Sequence, residues 1–412
     1  MAALFRIFAF FLSTLGVFLT LSGCLAPIAL HQAVLEYDQT TAQIQAEILL
    51  KNIARSKHTE PLHFTAVSSV AATFNFETSI GLQSSSSNTT DLIAPFFRTT
   101  VAENPTITII PVEGEEFTKR ILSPITSDKF FFLALQGIRP GIIFRLLAER
   151  LVIIKGDRQR VLQNRPDHED EYSEFRRRTL HLASLRSSYN THVLHLNFRQ
   201  TLPFSIPVSG SDEKTFQLKS LDQIFQAEEN GYTLTPDPDK GGGVLSKVVY
   251  GPRILTNYPL ADLSPQKKQR FIKEIALLPE NSLIVDISPE YPGGDYPFTG
   301  YYQFRSFQEV LQFVARINST NHEFDVKPHP KTGPVEANPT VILKIEETME
   351  EPGEAAFKVQ HNGLWYWIKK PTATSDPAIT WNLETFRALV QLYEMTKADV
   401  QTKPSPAITI AK

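Results

Sequence analysis

Residues 62–82 alternate between apolar and polar positions. Leu62, Phe64, Ala66, Val70, Ala72, Phe74, Phe76, Ile80 and Leu82 share one parity, and His63, Thr65, Ser69, Thr73, Asn75, Glu77, Ser79 and Gly81 share the other. A period of two sustained this long predicts one extended two-faced strand, or two strands meeting at a bend. A polar linker over 84–90, an apolar tip over 92–97 and a returning strand over 98–110 complete a long hairpin. Ahead of it, Tyr37, Thr41, Ile44 and Ile48, extended by Leu49 and Ile53, recur at helical spacing and predict an amphipathic helix ending near Arg55.

Helical patterns follow at 113–122, at 129–136 around Phe130, Phe131 and Phe132, and at 141–154, opened by Pro140. These apolar runs are too short to span a bilayer and read as core helices. The next stretch is charged. Asp167, Glu169, Asp170, Glu171, Glu174, Arg176, Arg177 and Arg178 fall on a helix running to Arg186, which reads as a solvated, self-paired face. A strand over 191–204 follows, then a turn-rich stretch over 236–243 that reads as an inter-domain linker.

Beyond it, Ser264-Pro265 marks a helix start, and Phe271, Ile272 and Ile275 supply its buried stripe. Strands are predicted over 283–287, 301–305 and 341–345, with a helix between the last two capped by Ser306 and Glu309. Asn362-Gly363 is a strong hairpin signal between strands 357–361 and 364–368. There, alternation puts Trp365 and Trp367 together, towards the core. A helix over 382–397 closes the chain. The expected fold class is α+β: an N-terminal helix, long β-hairpin and helices, then a C-terminal α+β domain with a mostly antiparallel sheet. The segments drawn from this pattern are 1–23, a tether at 24–33, bodies at 34–154, 155–239 and 240–402, and a loose tail at 403–412.

A formal charge of -3 over 412 residues argues against a nucleic-acid partner. One cysteine excludes an internal disulfide framework, a cysteine-based zinc site and an iron–sulfur cluster. That cysteine is Cys24, and its setting is informative. Arg6 precedes an apolar run from Ile7 to Leu21, which is signal-peptide architecture, and the run ends in Leu21-Ser22-Gly23-Cys24. These four residues resemble the lipobox of bacterial lipoproteins at every position. The resemblance implies cleavage before Cys24 and acylation of its thiol and new amine, so that membrane lipid is the first partner. Leu25, where an aspartate would retain the protein at the inner membrane, implies the periplasmic face of a Gram-negative outer membrane. With so short a tether the body is expected close to the bilayer. The mature part is similar to Gram-negative envelope lipoproteins with a helix-then-hairpin opening, a resemblance that implies no activity.

Familiar catalytic signatures are missing: no G-x-S-x-G, P-loop, G-x-G-x-x-G or H-E-x-x-H occurs. His192 and His195, three apart on a strand, point to opposite faces and cannot share a metal without a bulge. His168-Glu169-Asp170 lacks partners at metal spacing, and Gly241-Gly242-Gly243 lacks the Lys-Ser/Thr of a phosphate cradle. Asp286 and Asp295 flank Pro292-Gly293-Gly294 near Tyr291, Tyr296 and Tyr301, a grouping that glycan recognition or hydrolysis would use. The expectation is a non-enzymatic, cofactor-free outer-membrane lipoprotein with a structural or assembly role, its further partners being other envelope proteins or itself. The alternatives are an oligomeric pore or secretion element built from the 62–110 hairpin, similar in architectural logic to the curli-secretion channel, and a periplasmic glycan-binding module or hydrolase.

Overall fold

The computed structural model describes residues 25–87, 90–205, 216–217, 221–237, 242–275, 277–320, 322–372, 377–397 and 408–410. Cys24 and the lipobox residues Leu21, Ser22 and Gly23 lie outside them. The class is α+β, with one mixed sheet and two antiparallel ones. Two compact units form, and neither is contiguous: Met1–Arg120 with Ile345–Ser375 and Tyr393–Lys412, and Ile121–Lys344 with Asp376–Leu392. They cut across the contiguous segments drawn from the pattern, because the mixed sheet draws strands from all three of those bodies. Among the described residues no helix is long and apolar enough to cross a membrane.

The first unit begins with helix α1, Leu25–Lys57. The stretch read as a tether is therefore helical from Leu25 onward. Among its residues whose burial is described, Ala46 is the first that is buried, followed by Leu49, Leu50, Ile53 and Ala54, a stripe at i, i+3, i+4, i+7 and i+8. Ile44, expected on the buried stripe, is exposed. At about 1.5 Å per residue the helix rises roughly 30 Å between Leu25 and Ala46, which replaces the expectation of a short leash. The side chain of buried Asn52 donates to the His63 carbonyl at 2.8 Å and accepts from the His63 amide at 2.8 Å, clamping the end of α1 to the next strand.

That strand, β1 (Phe64–Ser87), pairs antiparallel with β2 (Thr90–Val112). The expected hairpin is present, but the polar linker and apolar tip are absorbed into it: Ser84 faces Ile93 and Leu82 faces Pro95 across the ladder. The register shifts once, Val67 pairing with Ile109 and Ser69 with Thr108, so Ser68 is an inserted residue. The single parity of the sequence is thereby split. Phe64 and Ala66 share a face with Val112 and Ile110, whereas Val70, Ala72, Phe76 and Ile80 share the opposite face with Ile107, Pro105, Val101 and Phe97. The basal face is core: Phe64 stacks on Tyr393 at 4.9 Å and meets Phe117, on helix α2 (Glu115–Leu122), edge-on at 5.7 Å. Ile408–Ile410, within the tail read as loose, is strand β14 and pairs with β2 at Ile107–Ile109 positions.

Strands β11 (Glu346–Thr348), β12 (Ala355–His361) and β13 (Leu364–Lys369) form the unit's second sheet. Asn362 and Gly363 at φ 49° and 81° make the expected tight turn. Tyr366 and Ile368 are the buried pair of β13, and Trp365 and Trp367 are half-buried on the other face, contrary to expectation. Alternation fixes which residues travel together but not which face is inward; the Tyr366 hydroxyl finds its partner in the His58 Nε2 at 2.8 Å.

In the second unit, helices α3 (Ser127–Leu135) and α4 (Pro140–Leu147) lead into β3 (Ala148–Lys155). The helix expected over 141–154 thus ends at Leu147. Leu151, Val152, Ile153 and Ile154 form a largely β-branched run, and pairing on both edges overrides the helical pattern. The mixed sheet runs β4 (Arg158–Gln163), β3, β10 (Phe298–Phe304), β9 (Ser282–Ile287), β8 (Gly242–Thr256), β5 (His192–Ser205), β6 (Phe216–Gln217). Strand β7 (Thr233–Asp237) also pairs with β8, Asp237 opposite Gly242, so 236–243 joins two neighbouring strands rather than two domains. The unit also holds helix α6 (Leu221–Glu229), helix α7 (Pro265–Ile275), started by Ser264 as expected, and α8 (Phe307–Ile317), which carries the capping box of Ser306 and Glu309.

Helix α5 (Glu169–Ser187) is a core helix, not a solvated one. Arg176 and Tyr172 are fully buried and meet Arg145 at Glu323. Arg145 donates to Glu323 Oε1 at 2.9 Å, the Tyr172 hydroxyl does so at 2.5 Å, and Arg176 lies 3.7 Å from the same oxygen. Ile342 is buried but not in a strand, against the expectation for 341–345: its amide donates to Glu323 Oε2, and the Lys344 amide to Asn382 Oδ1. Asn382 belongs to α9 (Pro377–Lys397), whose Trp381, Phe386 and Leu389 complete this core.

Candidate functional site

Of the residues singled out by sequence, Asp286 has the most structured surroundings. It sits near the end of β9, a strand buried at every position, and is itself buried. Its Oδ2 accepts from the Tyr258 hydroxyl at 2.5 Å and pairs with Lys267 Nζ at 2.7 Å, and its Oδ1 accepts from Thr299 Oγ1 at 2.6 Å. Burial, reinforced by the hydrogen bond to Asp286, pushes the Tyr258 phenol well up, so it stays protonated and donating. Lys267 also lies 4.5 Å from the Tyr258 ring centroid. The carboxylate is occupied by donors of its own chain and holds the Lys267 ammonium in an ion pair.

The other members of the expected grouping do not converge on it. Asp295 is exposed in the loop and does not line the cleft that Asp286 lines. Tyr296 is nearly buried between the Arg178 guanidinium, 3.5 Å from its ring centroid, and the His329 ring, stacked at 3.8 Å. Its hydroxyl donates to Glu174 at 2.7 Å. Tyr291 leans on Tyr258, and Tyr301 packs against the core cluster of Leu194 and Ile254. Gly293 has φ 78°, and a Cβ there would lie 1.9 Å from Leu185; at Gly294 it would lie 2.1 Å from the Ser288 carbonyl oxygen. The Pro292-Gly293-Gly294 loop packs closely, and each of the three tyrosines has packing partners of its own.

What Asp286 does line is a cleft of about 920 Å³ within the second unit. Six cations border it: Lys155 and Arg158 at the β3–β4 turn, Arg160 on β4, Arg178 on α5, and Lys267 and Arg270 on α7; Asp286 is the single acid of the lining. Three of the cations have partners. Arg178 bonds Glu174 at 3.0 Å, Arg270 bonds Glu274 at 2.7 Å, and Lys267 pairs with Asp286. Burial works against ionised Glu174, but the Tyr296 hydroxyl and Arg178 outweigh it and hold the carboxyl below its usual range. Arg160 adds its charge to those lowering Glu174, and among the described residues the side chains of Lys155 and Arg158 make no hydrogen bond or ion pair. Sequence reasoning missed this site because the cations come from four elements and a net acidic chain conceals them; the local signal was Arg158 and Arg160, two apart and so on one face of a strand.

A second polar cluster went unread in the first unit. His361 Nε2 lies 3.1 Å from Glu60, Asn362 donates to Glu60 at 2.9 Å, and the His58 and His361 rings are 5.7 Å apart. The Asn362 hydrogen bond, with help from the histidines, keeps the Glu60 carboxyl low. His192 and His195 remain on opposite faces, since the irregularity of β5 falls after His195. His168 is the residue before the first turn of α5. Among the described residues no group of three or more His, Cys, Asp or Glu is arranged to hold a metal ion. Compared with protein-family models, curated proteins and solved structures, the chain matches none of them.

Proposed function

We propose that this protein is a lipid-anchored component of the Gram-negative outer membrane, facing the periplasm, with a structural or assembly role rather than a catalytic one. The observation that carries the reading is Leu21-Ser22-Gly23-Cys24 at the end of the apolar run, directly ahead of α1. Each buried methylene contributes about 0.8 kcal/mol, so several acyl chains on Cys24 hold a water-soluble body firmly. Helix α1, whose residues between Val34 and Ile44 are exposed apart from half-buried Tyr37 and Thr41, then serves as a stalk between acyl chains and body. In a Gram-negative host the native chain should incorporate labelled palmitate, and Cys24→Ser should accumulate as a larger, unlabelled precursor. Equal labelling of the variant would sink the anchor. Mild cross-linking should recover the protein with other envelope proteins; recovery alone would sink the assembly role.

One observation favours a second reading, the oligomeric pore. Strands β1 and β2 hold 24 and 23 residues, where a transmembrane β-strand needs about 9–11. Past Ser68 the ladder's apolar positions lie on the face opposite the one that packs into the core. A lone hairpin leaves edge groups unpaired in lipid, so several copies would have to close one barrel. Heat-resistant oligomers that conduct across planar bilayers are the expected result for this reading. Non-conducting monomers in detergent would eliminate it.

A further inference from the structure

We propose that the cation-lined cleft of the second unit binds a phosphomonoester carried on a sugar-sized body. The cleft's volume of about 920 Å³ lies within the range of small-molecule sites and far exceeds what a bare inorganic ion fills. Among the described residues, Lys155 and Arg158 are left over after the cleft's internal ion pairs are counted, and Arg160 makes no hydrogen bond or ion pair although its charge also acts on Glu174. Arg158 and Arg160 project from one face of β4, and guanidinium forks fit the oxygens of a phosphate two at a time. A dianion matches this surplus better than a carboxylate, which a single arginine satisfies. The acids nearby are committed: Asp286 to Lys267, Tyr258 and Thr299, Glu174 to Arg178 and Tyr296, and Glu274 to Arg270. Asp157, in the β3–β4 turn, does not line the cleft. Between the cations the wall includes Ile153, Ile154, Pro289 and Pro297, apolar side chains that keep accessible surface for a carbon skeleton.

The same chemistry is presented by a phosphorylated lipid headgroup and by a free phosphorylated sugar. The site is independent of the anchor, so its test uses the mature chain, residues 24–412, carrying Cys24→Ser and so free of both the acyl chains and the apolar leader. By calorimetry, glucose 1-phosphate should bind saturably at one equivalent, inorganic phosphate should compete, and glucose should not bind. Arg158→Gln with Arg160→Gln, both exposed positions, should weaken binding at least about tenfold, since two charge-assisted hydrogen bonds are lost. Lys327→Gln with Lys331→Gln removes equal charge outside the cleft and should leave affinity unchanged. Co-sedimentation with phosphatidylcholine vesicles containing phosphatidic acid, lost in the Arg158/Arg160 variant, would identify a lipid source; binding of the soluble ester alone would identify a free one. No saturable binding of either probe, or an equal loss in the Lys327/Lys331 control, overturns the proposal.

Discussion

Glu323 holds one negative charge between two buried guanidiniums, so its neighbourhood keeps a net positive charge out of water. Burial alone would raise its carboxyl, but Arg145 and Arg176 outweigh burial and hold it low. The Tyr172 phenol is pushed up to about 12, mainly by burial and by Glu323. Breaking such a set strands its partners, and Glu323→Gln should cost about 3–5 kcal/mol in urea unfolding; a loss under 1 kcal/mol, on the order of a surface pair, would refute the role given to it. His181 supplies a separate acid sensitivity. Burial lowers its pKa below the ordinary 6.5, while its Nε2 lies 2.8 Å from the Gly293 carbonyl oxygen. The unfolded chain therefore takes up the proton more readily, and stability falls as pH drops below about 6.5, with Glu174 and Glu323 adding a second loss below 4.5. His181→Gln should remove the first loss and spare the second, as read from urea midpoints across pH. At this scale the sequence was legible wherever a residue satisfies itself locally: Ser264, the Ser306–Glu309 box and the Asn362-Gly363 turn all stand as read. Arg176 was misread because its partners, Glu323 and Asn338, lie far along the chain.

Strands β1 and β2 show what a one-residue insertion does to an element. Because Ser68 is the extra residue, deleting it should leave every pair beyond it facing its present partner, now in an unbroken ladder. Deleting Thr73 instead should slip the residues on one side of the gap to the opposite face. The expected result is that the Ser68 deletion changes thermal stability by no more than about 1 kcal/mol while the Thr73 deletion costs several times that; equal costs would mean the ladder carries no bulge. The alternation made this hairpin legible, and its break at Val67-Ser68, apolar and polar on the wrong parities, coincides with the residue at which its faces exchange. Local pattern alone misleads at 141–154. Helical spacing continues past Leu147, yet the pairing of β3 with β4 and β10 takes Ala148 onward, and β10 approaches so closely that a Cβ at Gly300 would lie 2.0 Å from the Val152 carbonyl oxygen.

At the scale of the whole chain, each unit is built from pieces that are distant in sequence. A reading along the chain yields contiguous bodies, and 34–154 looked like one of them. In the first unit, however, α1 ends on residues supplied by the far end of the chain: Lys57 pairs with Glu347, His58 with Tyr366 and Glu60 with Asn362. Phe64 likewise stacks on Tyr393. In the second unit, Trp381 donates to the Ile342 carbonyl at 3.2 Å and Glu384 pairs with Arg139 at 3.0 Å. A fragment covering 25–154 keeps α1 and the hairpin but loses Tyr366, Ile368 and Tyr393, all buried in the intact unit. The apolar stripe from Ala46 to Ala54 would then face water, and with about 25 cal/mol lost per Å² exposed, a unit this small has no reserve to remain folded. Calorimetry on that fragment should therefore show no cooperative transition, whereas the full chain gives one or more. A sharp transition from the fragment alone would mean that the contiguous body is a true domain and that the contacts of Lys57, His58 and Glu60 are incidental to its folding.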